Sequence, residues 1–560
     1  MEIRNQLMSI WKDTFHDSDE YINIVFDNYY NEDSCFYKIL DGKIVSSMLC
    51  VTYVVKNTKR NISNGENDIN IDSLSIDGAE LFNDVYTINN NKYNNELCDI
   101  ITENEVFLKE NSSEFLKSSY LKCAYQCGLA TIPKYRNRGI MSELIHKSNY
   151  ELFRDGFAIS LLIPSNEHNI LYYKKSDYIP VTYINTNVYL NEHNFIPNLQ
   201  LKKCDYFKYN VILNNTVSYV IYNISEYYML LKKCLKDDNT SFIDKEFNTS
   251  KDDDTIDFSA SSYSNYDAVN KFRIKFYLWY KELSEYITDC RVVHTYKDFC
   301  AILEENFVSC GKILFLTDNN SKPLGMLFCC NIEEDEVTLQ LLVSASEETD
   351  KLLLQSLKSF IPKSAKIILR RYPTQPLLQA ERSQEALNGS NECDASPSRL
   401  DYSNGLLSGN NQIYVPYTIA PDNDGYVHNV TRQVTEVASA STLQKSYAMA
   451  KILNVAEVLK FVASLNKDAE FSILIDHDEF SENEGLFMVK GGRLSVTPLS
   501  QMSLERYNTI IHNCQTKLDW FNISVLELSE ILFRRSSKLS VVDEAISIPR
   551  LLINVALMLD

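Results

Sequence analysis

The stretch from Leu121 to Val181 constrains the fold of this chain more than any other. Tyr120–Thr131 reads as a strand, and Ile140–Arg154 as a helix with Met141, Leu144, Ile145, Ser148 and Leu152 on one side. Ala158–Ile163 is short and continuously apolar, the pattern of a strand buried on both faces. Glu167–Lys175 predicts a short helix capped by Asn166, with His168 on its surface, and Ile179–Leu190 a closing strand. Between the first strand and the long helix lies a basic turn, Arg136, Asn137, Arg138, Gly139, Ile140 and Met141, or Arg-x-x-Gly-x-Met. Such a turn leaves backbone N–H groups free at a helix N-terminus, and those groups attract an anion. Two guanidiniums beside them suit a pyrophosphate, and Gly139 lets the backbone approach a ligand closely.

The rest of the chain has to house this stretch. At 560 residues it is too long for one core, which predicts three or four domains. Ile3 to Phe15 and Ser18 to Asn28 have helical spacing, and Cys35–Leu40 and Ile44–Val55 read as strands around an Asp41-Gly42 hairpin turn. Polar insertions are expected near 56–118 and 235–266, and a linker or excursion over 374–439. Between them the pattern strand–strand–strand–helix–strand returns over Lys312–Leu369. From about Ala440 a last domain is expected, with a helix after Asn454, strands at Phe471–Ile475 and Leu486–Val489, a turn at Lys490-Gly491-Gly492-Arg493 and a helix from Ser524 to Phe533.

Composition narrows the partners. A formal net charge of -20 repels nucleic acid and anionic lipid and favours cationic partners. The eight histidines are scattered, with no HExxH and no tight Cys/His cluster, so no metal site is expected. No apolar run reaches the roughly 18 residues of a membrane span, and Met1–Phe15 lacks the apolar core of a signal peptide. The 14 cysteines have no regular spacing, which predicts free thiols and a cytoplasmic location.

The segment Gly128-Leu129-Ala130-Thr131-Ile132-Pro133-Lys134-Tyr135-Arg136-Asn137-Arg138-Gly139-Ile140-Met141 resembles the acetyl-CoA motif of the GNAT N-acetyltransferases, Arg/Gln-x-x-Gly-x-Gly/Ala. It departs from that motif at Met141, where the family has a small residue. The layout as a whole resembles the enhanced-intracellular-survival type of acetyltransferase. Ile10 to Ser18 is similar to the start of that class, and Tyr173 to Tyr178 matches its aromatic-x4-aromatic motif. The resemblance implies an α+β chain of tandem GNAT-like mixed-sheet domains, an active one over 1–190 and a degenerate one over 191–373. A sterol-carrier-like α+β domain over 440–560 follows. It implies acetyl-CoA as co-substrate, a primary amine on a small molecule or peptide as acceptor, and a homo-oligomer.

The resemblance also implies roles. Backbone groups of Leu129, Ala130 and Thr131 would face the pantetheine arm and polarise the thioester carbonyl, and Arg136 through Met141 would take the pyrophosphate. Tyr173 matches the family's general acid, and the terminal carboxylate of Asp560 its general base; Tyr178 reads as structural. The competing expectations are a catalytically weak or inactive CoA- or ligand-binding protein, and an oligomeric scaffold.

Overall fold

The computed structural model describes residues 3–57, 120–190, 193–236, 265–287, 290–330, 336–371, 443–517, 519–533 and 553–554. The expected insertions near 56–118 and 235–266, the linker over 374–439 and Asp560 lie wholly or almost wholly outside them. Met1–Thr374 and Gln444–Asp560 form one compact unit, and Gln375–Leu443 a second one that falls almost entirely outside the described residues.

The chain begins with helices α1 (Ile3–Phe15) and α2 (Asp19–Tyr29), the latter started by Ser18, whose side chain accepts from the Tyr21 N–H. Strands β1 (Cys35–Leu40) and β2 (Lys43–Asn57) pair through Asp41 and Gly42, both at positive φ, as a tight right-twisting hairpin requires. Then come β3 (Tyr120–Thr131), α3 (Ile140–Arg154), β4 (Ile159–Leu162), α4 (Glu167–Lys174) and β5 (Ile179–Leu190). Every element expected over Leu121–Val181 is present. The apolar side of α3 is buried as its spacing requires, through Ile140, Leu144, Ile145, Leu152 and Phe153.

The middle of the chain builds β6 (Gln200–Asp205), β7 (Lys208–Leu213), β8 (Thr216–Asn223), α5 (Ile224–Lys236), α6 (Asn265–Ser284), β9 (Cys290–Val293) and α7 (Tyr296–Val308). It continues with β10 (Lys312–Thr317), β11 (Pro323–Cys330), β12 (Glu336–Ser344), α8 (Glu347–Leu357) and β13 (Lys366–Arg371). The last part holds β14 (Leu443–Ile452), α9 (Val455–Leu465), β15 (Phe471–Ile475), β16 (Gly485–Lys490) and β17 (Arg493–Pro498). It ends with α10 (Leu504–Thr516), β18 (Trp520–Asn522), α11 (Val525–Phe533) and β19 (Ile553–Asn554).

Among the described residues the strands form two mixed sheets. The larger has fifteen strands and runs β19-β9-β2-β3-β4-β14-β5-β13-β12-β11-β10-β8-β7-β6, with β1 beside β2. The smaller runs β17-β16-β15-β18. Strand β14 follows the expected 440 boundary in sequence, yet it lies between β4 and β5, antiparallel to β4 in the register Met449↔Leu162 to Ile452↔Ile159. The sheet of the first 190 residues is therefore closed by a strand from the last part of the chain. The two large repeats join where β5 meets β13, antiparallel from Leu190↔Lys366 to Asn185↔Arg371.

The core around the candidate site has two faces. One packs α1, α2 and α9 on the sheet through Trp11, Phe26, Tyr53, Tyr125, Val458 and Phe461. The other packs α3 and α4 through Leu144, Leu152, Phe153, Tyr173 and Tyr178, and it also takes in Met449, Leu453 and Phe480 from the last part of the chain.

Candidate active site

Strands β3 and β4 are parallel neighbours over only three residues, Cys123↔Ile159, Ala124↔Ser160 and Tyr125↔Leu161. Beyond them β4 ends at Leu162, while β3 continues to Thr131. The strands thus part into a notch whose longer arm is Gln126 to Thr131.

That arm is bulged. Its pairing with β2 slips between Ser47↔Ala130 and Leu49↔Cys127, so Gly128 and Leu129 together face Met48. A bulge leaves one residue out of the ladder and turns the strand locally. Gly128 sits at φ +60, and a Cβ built on it would lie 2.1 Å from Cζ3 of Trp11. Crowding and backbone conformation both require glycine here. Trp11 is fixed in turn by its Nε1–H, which donates to Asp17 Oδ2 at 2.7 Å. Past the bulge the strand is tied down again: Ser46 Oγ donates to the Ala130 carbonyl at 3.0 Å and lies 2.8 Å from Thr131 Oγ1.

The notch leads straight into the basic turn. Pro133–Tyr135 forms one 3-10 turn, Asn137 and Gly139 adopt φ +60 and +76, and α3 starts at Ile140 with no side chain capping it. The first N–H groups of this 15-residue helix are therefore free to meet an anion. Arg136, Asn137, Arg138 and Gly139 are exposed. Arg136 donates through Nε to the Thr131 carbonyl at 2.9 Å, and the Arg138 guanidinium lies 5.3 Å from the Tyr135 ring centroid. Among the described residues neither arginine has an acidic partner. Nothing lies within 4 Å of a Cβ built on Gly139, so its glycine is demanded by φ and leaves open room beside the helix end. Uncapped N–H groups, unpaired guanidiniums and open room are the features a pyrophosphate fits.

Met141, the departure from the motif, is half-buried and packs into the apolar cluster of α3 and α4. Its side chain is thus turned to packing. The same cluster takes in Leu129, Tyr172 and Tyr173, so the bulge, the start of α3 and the tyrosine of α4 share one set of contacts. Burial pushes the Tyr173 hydroxyl well above the usual tyrosine range, with Tyr172 adding to the effect. Tyr172 itself hydrogen-bonds Ser142, in the first turn of α3, at 3.0 Å.

Tyr178 is fully buried, and its hydroxyl lies 2.7 Å from Ser160 Oγ, 2.9 Å from Gln126 Oε1 and 3.1 Å from Asn149 Oδ1. Gln126 Nε2 donates to Ser148 Oγ at 3.1 Å and Asn149 Oδ1 at 2.9 Å. This network joins β3, α3 and β4 at the point where the notch opens. Gln126, Trp11 and Gly128 had no motif to mark them in the sequence; the only local sign was a glycine inside a strand, which often marks a bulge.

The helix at the matching place of the second repeat differs. Only Ala345 and Ser346 separate β12 from α8, and Ser346 with Thr349 forms a reciprocal capping box that satisfies the helix end.

The geometry defines a bulged strand that parts from its parallel neighbour beside an open, basic helix N-terminus. Residues 115–181 match the model of the acetyltransferase (GNAT) domain; domains of this kind bind acetyl-CoA generally. Solved structures similar to this chain include a GCN5-related N-acetyltransferase from Anabaena variabilis, 11% identical over 95% of this chain and 87% of that one, with a TM-score of 0.45. Eis1 from Mycobacterium abscessus is 10% identical over 95% and 88%, with a TM-score of 0.44. A GCN5-related N-acetyltransferase from Kribbella flavida is 10% identical over 89% and 82%, with a TM-score of 0.44. No curated protein matches the chain in sequence.

Proposed function

We infer that the chain is an acetyl-CoA-dependent N-acetyltransferase acting on a primary amine of a small molecule or peptide. The observation that carries this reading is the bulged notch running into an uncapped, glycine-led helix N-terminus with two unpaired arginines. Arg136, Arg138 and the N–H groups of Ile140 and Met141 hold the pyrophosphate. The bulge at Gly128–Leu129 leads to Ala130 and Thr131, whose backbone groups orient the thioester and stabilise the oxyanion. The amine nitrogen bonds to the carbonyl carbon, the carbon–sulfur bond breaks, and the sulfur takes a proton from Tyr173. A base takes the ammonium proton, and the family resemblance assigns that role to the carboxylate of Asp560.

Burial supports Tyr173 as a donor. It stays protonated far above neutral pH, yet a more basic phenol gives up its proton less readily to a thiolate of ordinary basicity. The surroundings narrow that gap: burial pushes the Cys127 thiol, on the strand just before the bulge, up to about 12. A thiolate leaving beside Leu129 meets a similarly apolar environment and becomes a comparably strong base.

The enhanced-intracellular-survival type is our finer reading of the architecture, with an inactive second repeat and a sterol-carrier-like last domain. The capped N-terminus of α8 supports the inactive repeat. The β17-β16-β15-β18 sheet, with α9 packed on one face and Ile510 of α10 on the other, supports a separate last domain. The free state of the described cysteines supports a cytoplasmic setting, and a homo-oligomer rests on the resemblance alone. Incubation with acetyl-CoA and a panel of amines, following free thiol, tests the activity. CoA binding without thiol release from any amine would leave the binding-protein reading in its place. A crystal structure with CoA and an amine tests the base: an Asp560 carboxylate beyond one-water reach of the amine removes it. Light scattering reads the oligomer, and a monomer would end that expectation.

A further inference from the structure

The strand that closes the sheet of the first 190 residues carries a lysine in an unusual place. Lys451 lies on β14 opposite Ser160 of β4 and is only 8% exposed. Its Nζ is 2.6 Å from Glu479 Oε2 and 3.6 Å from Asp177 Oδ2. Glu479 also pairs with His146 of α3. Beside Glu479, Phe480 stacks on Phe153 of α3 with ring centroids 4.8 Å apart and planes within 3°. Asn483 holds the same loop down, donating to the Leu453 carbonyl at 2.9 Å and accepting from the Val455 N–H at 3.0 Å.

Asp177 belongs to the turn that ends α4. It sits at φ +62, and the turn is wound on Tyr173: the N–H groups of Ser176 and Tyr178 donate to the Tyr173 carbonyl at 2.9 and 3.3 Å. Ser160, the register partner of Lys451, hydrogen-bonds the Tyr178 hydroxyl, and the Tyr178 ring lies 6.2 Å from that of Tyr173. Lys451 thus reaches both supports of Tyr173, one through its backbone and one through its ammonium.

We propose that Lys451 is a positioning residue of the transfer site: it pins the Lys175–Tyr178 turn to β14 and so holds Tyr173 against the notch. A buried lysine is retained only where paired, and both of its partners belong to segments that contact α3 or α4. The first GNAT-like domain then has a complete site only when the last part of the chain is seated on it. This rests on the acetyltransferase reading for its consequence in rate, though not for the geometry itself.

The test uses the full chain with 3-fluorotyrosine at position 173, comparing Lys451→Met, Lys451→Arg and Asp177→Asn. Lys451→Met is expected to lower kcat roughly ten- to a hundredfold, the scale of an ångström-size misplacement. The Kd for CoA should change less than about twofold, because the α3 N-terminus is untouched. The fluorine resonance should broaden or split in Lys451→Met and in Asp177→Asn, and Lys451→Arg should restore both rate and resonance. An unchanged kcat and resonance in folded Lys451→Met overturns the proposal, as does a parallel loss of CoA affinity. Should Lys451→Met not fold, Asp177→Asn decides, since Asp177 is exposed and asparagine tolerates its backbone. If the unmodified chain turns over no amine, the acetyltransferase reading fails, and the resonance alone decides whether Lys451 positions Tyr173.

Discussion

Gly128 and Gly139 share a left-handed backbone, at φ +60 and +76, but differ completely in what surrounds them. That difference makes a quantitative test of the bulge. Alanine at either site meets the backbone penalty of a positive φ, about 1–2 kcal/mol. At Gly139 nothing lies within 4 Å of the new methyl group, so Gly139→Ala should cost about that much and no more. At Gly128 the methyl group would overlap three atoms of the Trp11 ring, at 2.1, 2.5 and 2.9 Å. Overpacking of this kind adds about 1–3 kcal/mol, for a total of about 2–5 kcal/mol. Trp11 cannot retreat freely, because Asp17 holds its indole N–H and Phe15 and Phe26 pack on its edges. Urea unfolding followed by circular dichroism measures both variants, alongside Trp11→Leu and the Gly128→Ala/Trp11→Leu pair. In the leucine background the penalty of Gly128→Ala should fall to its backbone part, a coupling of about 1–3 kcal/mol. Equal costs for the two glycines, or strict additivity with Trp11→Leu, would refute the claim that Trp11 shapes the bulge.

Gly139→Asp puts a carboxylate into the anion cradle at a backbone conformation aspartate tolerates; titration calorimetry should show CoA affinity falling by about a hundredfold or more at nearly unchanged stability. Tyr173→Phe should lower turnover with little change in CoA affinity, and a full rate in stopped-flow thiol assays would remove the acid assignment. Because burial raises Tyr173, its proton is retained as pH climbs through the ordinary tyrosine value, so kcat in the unmodified chain should show no fall at pH 10 from this group. His294, fully enclosed and 2.7 Å from the Tyr280 hydroxyl, is lowered by burial and by Arg291 to about 3. The unfolded chain therefore binds a proton near pH 6.5 that the folded chain refuses, and stability falls as pH drops from there towards 3. By pH 4.5 the loss is about 3 kcal/mol, and His294→Gln should flatten that limb of a denaturation series; an unchanged slope would show that His294 is not its source.

Much of the first repeat was legible because its signals are local. The Asp41-Gly42 turn, the Asn166 cap, the period of α3 and the apolar run of β4 each depend on neighbours in sequence. Strands β6 and β7 escaped because they are short, half-exposed and lysine-rich, although the Asn214-Asn215 turn at φ +50 and +64 was a usable hairpin sign. Helix α7 escaped despite the Thr295–Asp298 capping box, which lacks a Glu or Gln at the third position. The bulge was invisible because it is a relation between β3, β2 and Trp11, and no spacing encodes such a relation. The most non-local feature, β14 between β4 and β5, left no trace at all: a ten-residue strand matches its partner by register, and register is written in neither sequence alone.

That insertion has a consequence for synthesis. At about 5–20 residues per second, roughly 290 residues must still be made after Leu162 leaves the ribosome before Ile452 exists, a delay of about 15–60 s. Throughout that interval β4 and β5 have no strand to lie between them, and an apolar edge stays open to other nascent chains. The transfer site would be finished only near the end of translation, which makes this protein a candidate client for chaperones that shield unpaired edges. Ribosome-bound chains arrested before and after residue 452, probed by limited proteolysis, should differ in protection of residues 120–181.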